Sequence, residues 1–291
     1  MMNKRSIFYT LSMALTPEEV AGMTKYPSFY EPFARINEEG PYRGKTIGRL
    51  EYYDMADEVF EVTEKLDGTG SRCIIIPHEE QFIIGSRNQL LAYNKDTLHF
   101  EQQHIVELSF LEMKHLTERL KEAQLDVLEN GLVAIFFETI GRTILKRGKQ
   151  YFPRDDKNDT GFKGQFNVFD IRVFHHSDIM NYLGIPRDEW HFRRCRSRGW
   201  MTPSEKRDFC EKNGLPYVPY LTTVKGSEID TPEKACRWLQ QFKTSTISGA
   251  NCEGVVLKPI ERCDDYRNES ANIKTRVIFK LKFKDFPKEW Q

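Results

Sequence analysis

The chain of 291 residues is poor in cysteine: it has six, at positions 73, 195, 210, 236, 252 and 263, and none form a CxxC pair. That spacing argues against a zinc knuckle and against a disulfide framework. Free thiols in a reducing, cytoplasmic setting are the expectation. Long hydrophobic runs are also missing, and none approaches the ~20 apolar residues of a membrane span. The apolar stretch within residues 1–15 is broken by Thr10 and Ser12. No small-residue cleavage site follows it, so a secretory leader is not expected. A charge excess of one sign is absent too, since 43 Lys and Arg balance 43 Asp and Glu. Whole-chain charge therefore neither requires nor excludes nucleic acid, and local patches must decide. There is no internal repeat and no low-complexity tract.

What is present suits a folded core: 39% hydrophobic residues, including 20 Phe and 12 Tyr. The length admits one large domain or two smaller ones. Thr16-Pro17-Glu18-Glu19 reads as a helix start, with a Thr cap, Pro at the first position and Glu at the third. Thr202-Pro203-Ser204-Glu205 and Thr231-Pro232 repeat the signal, the former helix ending at Gly214. Another helix is predicted over 98–123 from Ile105, Leu108, Leu111, Leu116 and Leu120. Strands are predicted over 59–66, 72–76, 81–85, 132–139, 166–174, 254–258 and 276–283, with a Pro/Gly/Tyr-rich connection through Pro41 and Gly44 and a polar loop at 153–164. The fold class is therefore α+β, with sheets facing one another around a cleft. Residues 1–57 read as an N-terminal segment of uncertain role, and 58–291 as one domain.

The most informative segment is Thr63-Glu64-Lys65-Leu66-Asp67-Gly68-Thr69, a lysine at a strand end before an Asp-Gly turn. An amine so placed can attack a phosphate, provided neighbouring cations or desolvation favour its neutral form. A lone KxDG also marks many surface turns. In Phe279-Lys280-Leu281-Lys282-Phe283-Lys284 the period of two puts three lysines on one face and three apolar side chains on the other. The lysine face can neutralise a polyphosphate and act on a nearby nucleophilic lysine, or it can guard a sheet edge. Cys252-Glu253-Gly254-Val255-Val256-Leu257-Lys258-Pro259 offers a carboxylate and a lysine suited to Mg²⁺ and phosphate. In a regular strand Glu253 and Lys258 face opposite ways, so both reach one ligand only if the chain bends near Gly254 or Pro259. Glu138, in Phe137-Glu138-Thr139-Ile140-Gly141-Arg142, can accept bonds from ribose hydroxyls. Arg87, in Gly85-Ser86-Arg87-Asn88, can hold phosphate bidentately.

Taken in order with Phe166-Asn167-Val168-Phe169-Asp170-Ile171, these segments resemble the covalent nucleotidyltransferase superfamily of polynucleotide ligases and capping enzymes. Within it the chain is most similar to ATP-dependent RNA ligases of the phage RNA-repair type, over residues 58–284. The resemblance implies the ligase adenylation-domain fold, antiparallel sheets and helices around an ATP cleft. It implies that Lys65 forms a lysyl-AMP intermediate, with Glu64 against the adenine and Phe166 stacked on it. Arg87 and Glu138 would contact the sugar and phosphate side, Glu253 the metal (Mg²⁺ or Mn²⁺), and Lys258, Lys280 and Lys282 the phosphates. ATP would be the co-substrate, and RNA ends bearing a 5′-phosphate and a 3′-hydroxyl the partners. A DNA ligase, a capping guanylyltransferase and a catalytically silent RNA-binding relative are the alternative readings.

Two departures qualify the resemblance. Gly70 stands where the phage enzymes often carry asparagine. Only nine residues follow Lys282, so grip on RNA is expected from residues 1–57, from insertions or from a protein partner. One such insertion, Trp190 to Trp200, interleaves Arg193, Arg194, Arg196 and Arg198 with aromatics. That composition suits single-strand binding, or simply a solvated basic loop. Asp155 to Asp159 is no EF-hand, because the twelfth loop position is Phe166 rather than glutamate. His175-His176 lacks partners at metal spacing.

Overall fold

The computed structural model describes residues 15–27, 32–33, 35–36, 46–47, 55–77, 81–87, 90, 100–122, 131–141, 164–261, 265–268, 273–287 and 290. The connection through Pro41 and Gly44, the polar loop before Gly164, Asn88, Arg142 and Cys263 lie outside the described residues.

The elements run α1 (Pro17–Met23), β1 (Arg35–Ile36), β2 (Thr46–Ile47), β3 (Val59–Glu64), β4 (Thr69–Ile76), β5 (Gln81–Ser86), α2 (Phe100–Glu122), β6 (Leu132–Gly141) and β7 (Gly164–Phe174). They continue with α3 (His176–Leu183), α4 (Trp190–Arg194), α5 (Pro203–Lys212), β8 (Tyr220–Lys225), α6 (Pro232–Leu239), β9 (Gly254–Pro259), β10 (Asp265–Asn268), β11 (Ile273–Arg276) and β12 (Phe279–Lys282). Two four-stranded antiparallel sheets result, in the orders β12-β9-β3-β8 and β5-β4-β6-β7. This is the α+β architecture expected from the sequence.

Local chemistry accounts for the helix starts. Thr16 and Thr202 each accept a bond from the backbone N–H three residues on, while Glu19 and Glu205 reach back to the cap N–H. Such reciprocal caps satisfy two of the donors that a helix start leaves open. Thr231 caps α6 through the Lys234 N–H. Helix α2 buries Ile105, Met113, Leu116 and Leu120 but leaves Leu111 exposed. Leu111 is therefore not part of the inward stripe, whose gaps are filled by Ser109 and Thr117. Both hydroxyls donate to the carbonyl four residues back, at 2.7 Å, so their burial leaves no donor unsatisfied.

Three apolar layers seal the sheets. On one face of the β5-β4-β6-β7 sheet, Cys73, Ile75, Ile135, Phe137, Phe166 and Val168 pack with α2 and with Cys210 of α5. On its other face, Ile74, Ile76, Ala134, Phe136 and Phe174 pack with Leu15, Val20 and Met23 of the N-terminal segment and with α3. The other sheet buries Phe60, Val62, Leu257, Phe279 and Leu281 against α6. Residues 15–27 are thus integral to the core. The sequence pattern did not reveal α3 and α4, nor the β10–β11 hairpin, whose last strand is separated from β12 by Val277 and Ile278. The five described cysteines are buried. No described helix is long and apolar enough to cross a membrane.

Candidate active site

Strand β3 belongs to one sheet and β4 to the other, so the chain crosses between them at Lys65 to Gly68. That crossing opens into a cleft of about 310 Å³ lined by Lys65, Glu64, Glu138, Phe169, Lys258 and Lys280, among others. The Lys65 N–H donates to the Gly254 carbonyl at 2.9 Å, fixing the strand end against β9. Its Nζ donates to Glu253 Oε2. The direct partner of the amine is therefore a carboxylate. The lysine row of β12, expected to act on it, contributes Lys280 to the cleft wall.

The chain departs from regular strand geometry at Gly254, between Glu253, which meets Lys65, and Lys258, which lines the cleft. The Gly254 φ of +153° and the nearness of the Leu281 carbonyl leave no room for a Cβ. Beyond the bend, Val256 and Lys258 line the cleft, while Val255 and Leu257 enter the core. In β12, Phe279 and Leu281 are likewise core, with Lys280 and Lys282 on the opposite, partly buried face. Lys284 does not continue that row: the strand ends at Lys282, and Lys284 is exposed in a 3-10 turn.

Glu138 on β6 accepts the Gly68 N–H at 3.0 Å, tying the Asp-Gly turn to the second sheet. Loss of water around this carboxyl pushes its pKa up to about 7, against the pull of Lys65 and the Gly68 N–H. Glu64 is buried, and one oxygen accepts from the Thr246 N–H at 2.9 Å and hydroxyl at 2.6 Å. Its other oxygen has no partner, leaving an acceptor open on a cleft residue. Arg87 lines the cleft as well.

Phe166 is in a different place. It lies in the core with its ring 5.3 Å from that of Phe137, and Phe169 lines the cleft in its stead. The cause is a β-bulge. Phe137 opposes Val168 and Phe136 opposes Asp170, so Phe169 is the extra residue between two consecutive pairs. A bulge reverses the alternation of a strand and re-aims the side chains beyond it. Phe166 and Val168 keep the core face, whereas Asp170 turns to the opposite face. There Asp170 holds Arg276, accepts from the Tyr26 hydroxyl at 2.8 Å and pairs with Lys258 at 3.2 Å. Burial opposes ionisation of Asp170, but Arg276 and Lys258 overcome it and keep its carboxyl low. Lys258 also donates to the Phe169 carbonyl at 2.7 Å. Burial draws its amine down to about 7, with Asp170 resisting.

The 190–200 insertion is more structural than its composition suggests. Trp190 and Trp200 are core residues. Trp200 also lies beneath the Arg276 guanidinium, 3.7 Å from its centre. Neither indole is therefore a stacking platform for bases. Arg198 pairs with Asp178, Arg194 donates to the Gly22 carbonyl at 2.7 Å, and Arg193 and Arg196 are partly buried. Tyr26, Arg72, Phe169, Asp170, Thr246 and Arg276 are the site residues that sequence reasoning did not assign. The clearest available signal was Arg72, a charge opening the otherwise apolar run Cys73-Ile74-Ile75-Ile76.

No three described His, Cys, Asp or Glu residues cluster as a closed metal site. Glu253, a single carboxylate beside the nucleophile candidate, fits a cation that takes its other ligands from phosphate and water, as Mg²⁺ commonly does.

A strand-end lysine between two antiparallel sheets, with a carboxylate on each side, defines a nucleotidyltransferase-type fold. The chain belongs to the RNA ligase family, whose pattern it matches over residues 58–282. It is similar in fold to a Naegleria gruberi RNA ligase variant solved with ATP and Mn, at 17% identity and a TM-score of 0.50, covering 79% of this chain and 51% of that one. A second variant of that enzyme, solved with AMP and Mn, gives the same figures. The chain thus spans about half the length of these solved structures. Among curated protein sequences there is no match.

Proposed function

We propose that the protein is an ATP-dependent RNA ligase that joins 5′-phosphate and 3′-hydroxyl ends through a lysyl-AMP intermediate. The observation that carries this reading is Lys65, held at the crossing between the sheets by Glu253 and facing a cleft with Glu138 opposite. Family membership and a fold shared with enzymes solved with ATP, AMP and Mn support it.

In the first step the neutral Lys65 amine attacks the α-phosphorus of ATP. The N–P bond forms, the bond to pyrophosphate breaks, and the amine proton is released. In the second, a 5′-phosphate oxygen of RNA attacks the same phosphorus. The N–P bond breaks, and Lys65 regains a proton. In the third, the 3′-hydroxyl attacks the 5′-phosphorus and releases its proton; the phosphodiester O–P bond forms, and AMP leaves with the electron pair of the anhydride bond. The open Glu64 oxygen suits an exocyclic amine of the base, Phe169 offers a stacking ring, and Glu138 accepts from the ribose. Lys258, Lys280 and Lys282 counter phosphate charge, and Arg87 contacts the same side. A divalent cation held at Glu253 would supply charge stabilisation at the transferring phosphoryl group.

Incubation of the purified protein with ATP or GTP labelled on the α-phosphate tests the reading. Acid-labile, base-stable label from ATP is expected, as a phosphoramidate requires, together with sealing of nicked or broken RNA. Label from GTP alone would make it a capping enzyme. Sealing of DNA but not RNA would make it a DNA ligase.

A further inference from the structure

Arg72 stands opposite Phe136 in the β4–β6 pairing and lines the cleft. It is 1% exposed, yet none of its three guanidinium nitrogens has a hydrogen-bond partner. The two other deeply buried arginines of this region are different. Arg276 is held by Asp170, and Arg172 donates to the Arg198 carbonyl and the Tyr182 hydroxyl. Burial alone therefore does not account for Arg72.

Its surroundings deepen the imbalance, because they are cationic. Burial draws the Arg72 guanidinium down to about 10, and Arg194 pushes the same way. Lys25, next to the cleft residues Tyr26 and Pro27, is lowered by burial and then by Arg194, Arg87 and Arg72. Arg194 is anchored by the Gly22 carbonyl, one turn before Lys25. Four cations thus converge from four places in the chain: the exit of α1, β4, the end of β5 and the end of α4. A buried, unpaired guanidinium among like charges destabilises the fold. An anion offsets this destabilisation, and the planar fork of arginine matches a tetrahedral oxyanion with two parallel N–H bonds.

We propose that Arg72, flanked by Lys25, Arg87 and Arg194, is a binding site for a phosphoryl group of the substrates. The proposal rests on the ligase reading of the cleft and adds a subsite built partly from residues outside the nucleotide-binding segments. Two groups carry the required chemistry, the polyphosphate tail of ATP and the 5′-phosphate of the RNA end. Either way, the N-terminal segment acquires a task through Lys25.

Binding measured without catalysis tests it. The full chain, free of ATP and divalent metal, is titrated with inorganic pyrophosphate by calorimetry. Separately, it is titrated with one RNA oligonucleotide, 5′-phosphorylated or 5′-hydroxyl, by fluorescence anisotropy. Arg72→Gln is expected to weaken one of them about tenfold, the loss of one charge-assisted contact. Weakened pyrophosphate binding assigns the ATP tail. Loss of the advantage of the 5′-phosphate over the 5′-hydroxyl assigns the RNA end. Arg72→Lys should recover part of the loss, and Arg194→Gln should weaken the same ligand about threefold. Without ligand, Arg72→Gln should melt at the wild-type temperature or above it, because it removes an unpaired charge. Lys25→Gln and Arg194→Gln, both less buried, decide the matter if Arg72→Gln does not fold. Unchanged affinities in the folded variants, or a wild-type protein that binds neither ligand, overturn the proposal. Absence of label from ATP with intact phosphate binding would instead count against the ligase reading alone.

Discussion

Lys65 and Glu253, 188 residues apart in the chain, meet directly, the amine donating to the carboxylate. The contact joins the end of β3 to the residue before β9 and places a carboxylate at the proposed nucleophile. Lys65→Ala and Lys65→Arg are each expected to abolish labelling by ATP. Glu253→Gln should fold normally and slow labelling by about 10²–10³, the usual effect of removing one electrostatic contributor from a transition state. Gel autoradiography of a time course measures both. Normal labelling of Lys65→Ala would sink the mechanism.

The two phenylalanines of β7 should separate cleanly. Phe166→Ala empties a core site and is expected to cost about 3–5 kcal/mol of stability, read from urea denaturation. Phe169→Ala should cost much less stability and raise the KM for ATP by about tenfold, the order of a lost stacking contact. The opposite pattern would show that Phe166 is the stacking ring.

Glu138 makes stability depend on pH in a defined direction. Its folded pKa is raised from 4.5 to about 7, so the folded state holds the proton more tightly than the unfolded chain. That contribution is complete below pH 4.5 and is lost as pH rises through about 7. Lys258, lowered from 10.5 to about 7, works in the other sense: its contribution is present above 10.5 and is lost as pH falls through 7. Comparing wild type with Glu138→Gln cancels the lysine. The variant should gain in melting temperature relative to wild type between pH 4.5 and 7 and keep a constant lead above that. Parallel melting curves across the range would refute the assignment.

Asp170 holds two cations and a tyrosine in a dry site. Asp170→Asn leaves Arg276 and Lys258 without their counter-charge and is expected to destabilise the fold by about 3–5 kcal/mol. Urea denaturation at constant m value checks this. A loss below about 1 kcal/mol would mean that the network is solvated.

Much of this was legible in the chain. The Thr-Pro-x-Glu starts set α1 and α5, because a cap is made by residues three apart. The alternation of Phe279, Lys280, Leu281 and Lys282 set which face of β12 is dry, because side chains on a strand point to opposite sides. The stacking role that the resemblance implied for Phe166 meets a core position instead, since nothing in Phe166 to Ile171 announces a bulge at Phe169. The aromatics interleaved with arginines over 190–200 suited single-strand binding in sequence, whereas both tryptophans of that stretch are buried in the core.

The sequence by itself determined the α+β class, the order of the charged segments and the placing of Lys65 at a strand end before a tight turn. All of these depend on neighbours within a few residues. Only the tertiary structure decided that Glu253 reaches Lys65, that Phe169 lines the cleft while Asp170 is buried against Arg276 and Lys258, and that Arg72 is enclosed among cations with no acceptor. Those outcomes depend on strand register, on the bend at Gly254 and on the packing of residues 15–27. Such long-range contacts bring together groups that no local pattern relates.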